Sequence, residues 1–319
     1  MVGRAEEVDS NALALQWAPA RTPSLWRSLG RFFVRKPLGA FGVLVIVVLI
    51  VMAAGAPVLG RYGVEETFVM ANPAYDPNSL DPGNFSPTVI DKQAAPSIKH
   101  WFGTDNFGRD TYARVVWGAR RTLKVGLLSL TMGTIVGILI GLTSAYFSGL
   151  VDTVVQRFMD TFQSFPALLF LLLLVTVFEP SELSLTMGLA IVSVPSISRI
   201  VRSVVLQTRE MPFIESARLI GASDLRIMAR HILPNVMAPI IVIFTIGVGA
   251  VILAEASVSF LGFGPPGISW GQMLDTGRLF VLTSPWLALF SGGAITMAVL
   301  AFNLAGDALR DVLDPRMRM

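Results

Sequence analysis

The sequence predicts an all-α, polytopic membrane protein with six transmembrane helices. Composition is the first observation: of 319 residues, 53% are hydrophobic and 15% charged, whereas a soluble domain carries about a quarter charged residues. The second is a set of six apolar runs near the roughly 20 residues that a bilayer core demands: 37–59, 125–147, 165–178, 183–200, 236–256 and 286–304. The third is the distribution of Lys and Arg. Six lie in the N-terminal tail, five between Arg202 and Arg230 and three after Asn303, against one, Arg278, between the last two runs. Basic residues gather on the cytoplasmic side, so both termini and the 207–235 loop are expected there, in a multi-pass protein of the cytoplasmic (inner) membrane. The net charge of +3 follows from that rule and implies no nucleic-acid partner.

The first run follows Arg27, Arg31, Arg35 and Lys36 and exceeds the apolar region of a signal peptide, so it reads as a retained anchor. The tail 1–36 precedes it. The segment 60–124 is expected outside despite eight basic residues, because loops beyond about 60 residues largely escape the charge rule. Residues 125–304 then form a five-helix core, and 305–319 a cytoplasmic tail whose "RDVLDPRM" reads as an amphipathic exit helix. Ahead of the third run, "VVQRFMDTFQSF" is amphipathic and serves as its cytoplasmic turn or an interfacial lead-in.

The second run carries Ser129, Gly133, Gly137, Gly141, Ala145 and Gly149, a small residue at every fourth position. Such a face lets another helix approach closely. Packing inside one subunit is the first reading; a subunit interface or pathway lining is the alternative.

"ESARLIGASDLRIMARHILPNV", from Glu215, reads as two short amphipathic helices. Pro212 suits the first turn of one, with Phe213, Ile214, Ala217 and Ile220 as its stripe and Gly221 as its stop. Ser223 can cap the other, whose stripe is Leu225, Met228, Ala229 and Ile232, and Pro234 limits its continuation. Arg218, Arg226 and Arg230 are left exposed. A glycine-turned hairpin has the outline of a DNA-reading module, which the flanking spans set aside. A passive connector on the lipid headgroups remains the plain alternative.

Glu215, Ala217, Gly221, Leu233 and Pro234 resemble the EAA loop of ABC importer permeases, with Ser216 in place of an alanine and His231 in place of an isoleucine. The resemblance implies the type I ABC importer permease fold, in which this loop is a coupling helix seated in a groove of a cytoplasmic ATPase; Ala222 falls in the same turn. "HWFGTDNFGRDTYARVVWGARRTL" resembles the C-type permease subunit of dipeptide, oligopeptide and nickel importers through Gly103, Thr104, Asp105, Gly108, Arg109, Asp110, Arg114, Gly118, Ala119, Arg120 and Leu123. "AEASVSFLGFGPPGISWGQML" and "GDALRDVLDPRMR" agree with it. The implied function is the pore subunit of an ATP-driven peptide importer, partnered by a homologous B-type permease, cytoplasmic ATP-binding subunits and an extracytoplasmic binding protein. Nickel chelates, haem and oligosaccharides are alternative cargoes within the family, and a secondary transporter is the rival class.

Asp105, Arg109, Asp110 and Arg114 are expected to pair at helical spacing on the outer surface. Glu255 is expected in an interfacial or interhelical hydrogen bond rather than in a pathway. No cofactor is expected. The chain has no cysteine and two histidines, which excludes thiolate chemistry and multi-histidine metal sites. No lysine follows a glycine, so no phosphate-cradling loop is present, and the chain is expected not to be an enzyme, ATP hydrolysis falling to its partners. Gly267, Ser269 and Gly271 match G-x-S-x-G, but no histidine follows His231 to complete a triad.

Overall fold

The computed structural model describes residues 36–78, 84 and 86–313. The tail 1–35, the C-terminal residues 314–319 and residues 79–83 and 85 lie outside the described set, and with them most of the expected N-terminal tail and the end of the exit helix. Among the described residues five helices are long and apolar enough to cross a membrane, and a bent pair, counted as one span, makes six. They are α1 (Pro37–Ala54), α3 (Thr111–Phe147), the pair α4 (Gly149–Gln163) and α5 (Ala167–Val177), α6 (Glu182–Arg209), the helix Asp224–Phe260 and α11 (Trp286–Leu313).

The bounds differ from the apolar runs in instructive ways. The first run breaks at Gly55 into α1 and a single turn, α2 (Ala56–Leu59), whose first turn carries a proline. The second begins at Thr111, fourteen residues before Val125, because Asp110 supplies a cap: its Oδ1 accepts from Ala113 N at 2.8 Å, and a carboxylate there also complements the helix dipole. The segment expected as external loop therefore ends in four helical turns. Ahead of them lies a two-stranded antiparallel ribbon, β1 (Val69–Ala71) and β2 (Thr88–Ile90), pairing Val69 with Ile90. The third run is bent by 84° where Pro166, which cannot donate to a helix, precedes α5. At 11 residues, α5 is only about 16 Å long.

The row of small residues on α3 lies against α6. A Cβ on Gly133 would stand 2.8 Å from the Ala190 carbonyl oxygen, one on Gly137 2.9 Å from Ile197 Cβ, and one on Gly141 2.4 Å from the Ser198 carbonyl oxygen. Positions rise together along both helices, so α3 and α6 run parallel, and the bent pair returns the chain between them. Ser129 and Ala145 are fully buried in the same row. Gly149 departs from it: with φ +61° and nothing within 4 Å of its Cβ position, it makes the turn into α4. Elsewhere Gly42 of α1 meets the Ala301 carbonyl and Gly306 meets Ile246, which ties α1 and the fifth span to α11. α10 (Trp270–Arg278) inserts its fully buried Trp270 against Gly118, with Nε1 donating to the Val115 carbonyl at 2.9 Å.

Without a hydrophobic drive between helices in lipid, such backbone contacts carry the packing. Gly141→Ala is expected to cost about 1–3 kcal/mol by overpacking and to lower the melting temperature in detergent. Gly293→Ala, whose Cβ would meet nothing within 4 Å, is expected to leave it unchanged. Equal melting temperatures for the two purified variants would contradict this packing.

Candidate functional site

Between α6 and the fifth span the chain forms a compact hairpin. α7 (Pro212–Leu219) buries Ile214 and Ala217, while Glu215, in its first turn, and Ser216 stay exposed. Its end is a Schellman motif. Ala222 N donates to the Ala217 carbonyl at 3.1 Å and Gly221 N to the Arg218 carbonyl at 2.9 Å, with Gly221 at φ +79°. That geometry explains the spacing of three positions: a small residue at 217 and at 222, which meet across the motif, and glycine at 221, where other residues are strained.

Ser223 takes the N-cap position of the next turn, α8 (Asp224–Arg226), but its side chain makes no capping bond. Asp224 is instead the anchor, its Oδ1 accepting from Tyr146 Oη of α3 at 2.6 Å. Residues Ile227–Ile232 form a π-type turn that closes with Leu233 N donating to the Met228 carbonyl. Pro234 does not end the helix. The wide turn removes the tight i−4 geometry in which a proline ring clashes, and Pro234 enters the first turn of α9 (Leu233–Phe260). The expected stripe also shifts: Ile227, Met228 and Ile232 are buried, whereas Leu225 is 73% exposed and Ile220 85% exposed. With Leu219 at 83%, these form an apolar tip rimmed by exposed Glu215, Arg218, Arg226 and Arg230.

The base of the hairpin is tied to three helices. Arg209, the last residue of α6, donates through Nη1 to the Ala145 and Tyr146 carbonyls at 3.1 and 3.2 Å and to Ser148 Oγ, filling acceptors that the end of α3 leaves open. Arg202 grips Asp152 of α4 through two bonds, at 2.7 and 2.5 Å, and Ser144 of α3 donates to the same carboxylate at 2.8 Å. The Arg218 guanidinium lies 5.6 Å from the centre of the Tyr146 ring.

At the opposite end of α3, Gly103, Thr104, Asp105, Gly108, Arg109, Asp110 and Arg114 form a knot rather than a helical face. Asp105 and Asp110 are each 2% exposed, not superficial as expected. Gly108, at φ +72°, leaves no room for a Cβ against Ile90 and Phe68, so the chain reverses between Asp105 and Arg109 instead of forming a helical turn. Asp105 accepts from Phe107 N and Arg109 N at 2.8 and 2.9 Å and from Arg109 Nε at 2.8 Å. Arg114 approaches it at 3.6 Å. Thr104 Oγ1 donates to the Asp91 carbonyl at 2.6 Å, and Gly103 sits under the Ala94 carbonyl. His100 Nδ1 meets Asp110 Oδ2 at 2.8 Å, both side chains buried.

A family model described as the binding-protein-dependent transport system inner membrane component matches residues 133–319. The chain belongs to this family. A second model, the N-terminal transmembrane domain of oligopeptide transport permease C, matches residues 24–82 of the permease. It is 39% identical over 297 residues to the dipeptide transport system permease protein DppC of Alkalihalophilus pseudofirmus, covering 92% of this chain and 91% of that one. It is 38% identical over 300 residues to the glutathione transport system permease protein GsiD of Shigella dysenteriae, covering 93% and 92%. Its fold resembles that in inward-facing conformations of the MetNI methionine ABC transporter, with a TM-score of 0.53 at 19% identity over 63% of this chain and 96% of that one.

Within the permease, Glu255 is 2% exposed; its Oε1 accepts from Ser259 Oγ at 2.9 Å and its Oε2 from Thr122 Oγ1 of α3 at 3.4 Å, an interhelical arrangement. Ser269, of the G-x-S-x-G match, caps α10, its Oγ accepting from Gln272 N at 3.4 Å. Tyr146, Asp152, Arg202 and Arg209 carry the hairpin's support without belonging to any motif. Their signal is polarity at the ends of apolar runs.

Tyr146→Phe removes the bond to Asp224 without changing shape, at a cost of about 1.5–3 kcal/mol for a bond to a charged acceptor. Faster amide hydrogen exchange over residues 212–226, with α3 and α6 protected as before, is the expected result. Unchanged exchange would show that apolar packing alone holds the hairpin.

Proposed function

We propose that this permease forms half of the translocation pathway of an ATP-driven peptide importer in the cytoplasmic membrane, with both termini and the 207–235 loop in the cytoplasm. Its partners are a homologous B-type permease, ATP-binding subunits on the cytoplasmic side and a substrate-binding protein outside. The carrying observation is the hairpin: an apolar tip of Leu219, Ile220 and Leu225, exposed on a base hydrogen-bonded to α3. A large apolar surface rimmed by charge is a mark of a protein interface. The names of the relatives, dipeptide and glutathione transport permeases, support peptides as cargo.

On this reading Glu215, Ser216, Ala217, Gly221, Ala222, Leu233 and Pro234 shape the coupling element. Ala217, Gly221 and Ala222 set its tight turn, Glu215 complements the start of α7, Ser216 secures it by donating to the Pro212 carbonyl at 3.0 Å, and Leu233 and Pro234 join it to the fifth span. Closure of the ATPase pair moves the hairpin as one body, and the attached spans alternate between two arrangements whose balance nucleotide sets. The external knot of Asp105, Arg109, Asp110 and Arg114 fixes the ribbon on α3 rather than contacting the substrate-binding protein.

Replacing Leu219 and Ile220 together by glutamate is expected to strip the ATPase from the detergent-extracted complex while the B-type permease stays bound, read by mass spectrometry of the purified assembly. Retention of the ATPase would count against the hairpin as its dock. A Cβ at Gly221 would meet nothing within 4 Å, but φ +79° strains any other residue there; for Gly221→Trp, ATP hydrolysis is expected to continue in vesicles without peptide uptake, and normal uptake would sink the coupling role.

A further inference from the structure

A cleft of about 700 Å³ opens beside the outer turns of α3, walled by Trp117 and by the loop joining α9 to α10. Three cations line it: Arg120, Arg121 and Lys124. Among the described residues Glu182 is its one carboxylate, and it holds Lys124 at 2.5 Å. Arg120 lies 5.8 Å from the centre of the Trp117 ring and faces no carboxylate among the described residues. Ser181, which caps the N-terminus of the 28-residue α6, also lines the cleft, so the positive end of a helix dipole adds to the same field.

The wall is built, not incidental. Arg121 donates from Nη1 to the Pro266 carbonyl at 2.8 Å and from Nη2 to the Pro265 carbonyl at 3.2 Å, and Gln272 Nε2 donates to Pro265 at 2.7 Å. The guanidinium passes over Gly267, where a Cβ would stand 2.2 Å from Nη1. With φ at +123°, position 267 also favours glycine on backbone grounds. The result is a concavity of small-molecule size, hydrogen-bonded together on one side, with two cations, Arg120 and Lys124, exposed on the other.

We propose that this cleft receives the terminal carboxylate of the transported peptide. The inference rests on the peptide reading above and names a contact for it. A linear peptide presents variable side chains but always one terminal carboxylate, and a site that must pass many sequences gains by holding that group. Arginine suits it through its paired, charge-assisted donors, and the Trp117 ring offers an apolar surface to whatever side chain follows. Glu182 keeps Lys124 in place until an incoming carboxylate competes for it.

The test uses the complete importer with its binding protein in proteoliposomes and compares initial uptake of dialanine with that of its C-terminal amide. Arg120→Gln with Lys124→Gln is expected to lower the free-acid rate about tenfold, the scale of one charge-assisted hydrogen bond, and to leave the amide rate nearly unchanged. The charge-keeping pair Arg120→Lys with Lys124→Arg is expected to restore most of the free-acid rate. Equal loss for both peptides, or no loss, overturns the proposal. An effect that disappears in vesicles of neutral phospholipid overturns it in favour of an anionic headgroup. A wild-type complex that imports neither peptide overturns the cargo assignment itself, and is told apart because it needs no variant.

Discussion

The close approach of α3 to α6 sets the positions of everything else. Three glycines allow backbone to meet backbone or a branched side chain along two turns and more, and in lipid such contact, rather than water exclusion, is what binds helices. Because the two helices run parallel, their like ends lie side by side. At one end that brings Arg202 and Arg209 of α6 onto Asp152 and onto the last carbonyls of α3; at the other it brings Lys124 of α3 onto Glu182 at the start of α6. The ion pairs therefore lock a geometry that the glycines make possible.

The spans and the small-residue row were legible because they depend on local pattern: apolar length and a step of four. The turn at Gly221 was legible for the same reason, since a positive φ has a strong residue preference. What escaped depends on contacts distant in sequence. The burial of Asp105 and Asp110 is produced by a chain reversal at Gly108 and by cover from the ribbon, neither of which has a period to read. Helical spacing suggested a surface ladder there, and the i,i+4 pair of Asp105 and Arg109 forms without a helix.

The hairpin shows the limit from another side. A constant period of 3.6 residues places Leu225 with Met228 and Ile232, but the π-type turn at Ile227–Ile232 adds residues to one turn and rotates what precedes it. Leu225 then faces outward and Ile227 inward. Proline at 234 signalled a stop by the ordinary rule, and the same wide turn is what allows the helix through. A single local irregularity accounts for both departures, and it joins the surface tip to the membrane helix without a flexible loop.

That uninterrupted connection makes the helix from Asp224 to Phe260 a mechanical lever. Its 37 residues extend over about 55 Å. One end adjoins the tip at Gly221; the other delivers the chain, through Gly262, to Pro265 and Pro266, which wall the cationic cleft. Rotating a rod of that length by one degree about one end displaces the other by roughly 1 Å. A hydrogen bond of 2.8 Å, such as that from Arg121 Nη1 to the Pro266 carbonyl, does not survive stretching by that much, so on the proposed coupling role a small angular push at one surface would be felt at the far one. Pro239 lies inside the helix, at the kind of position where helices kink, and bending there would absorb such a push.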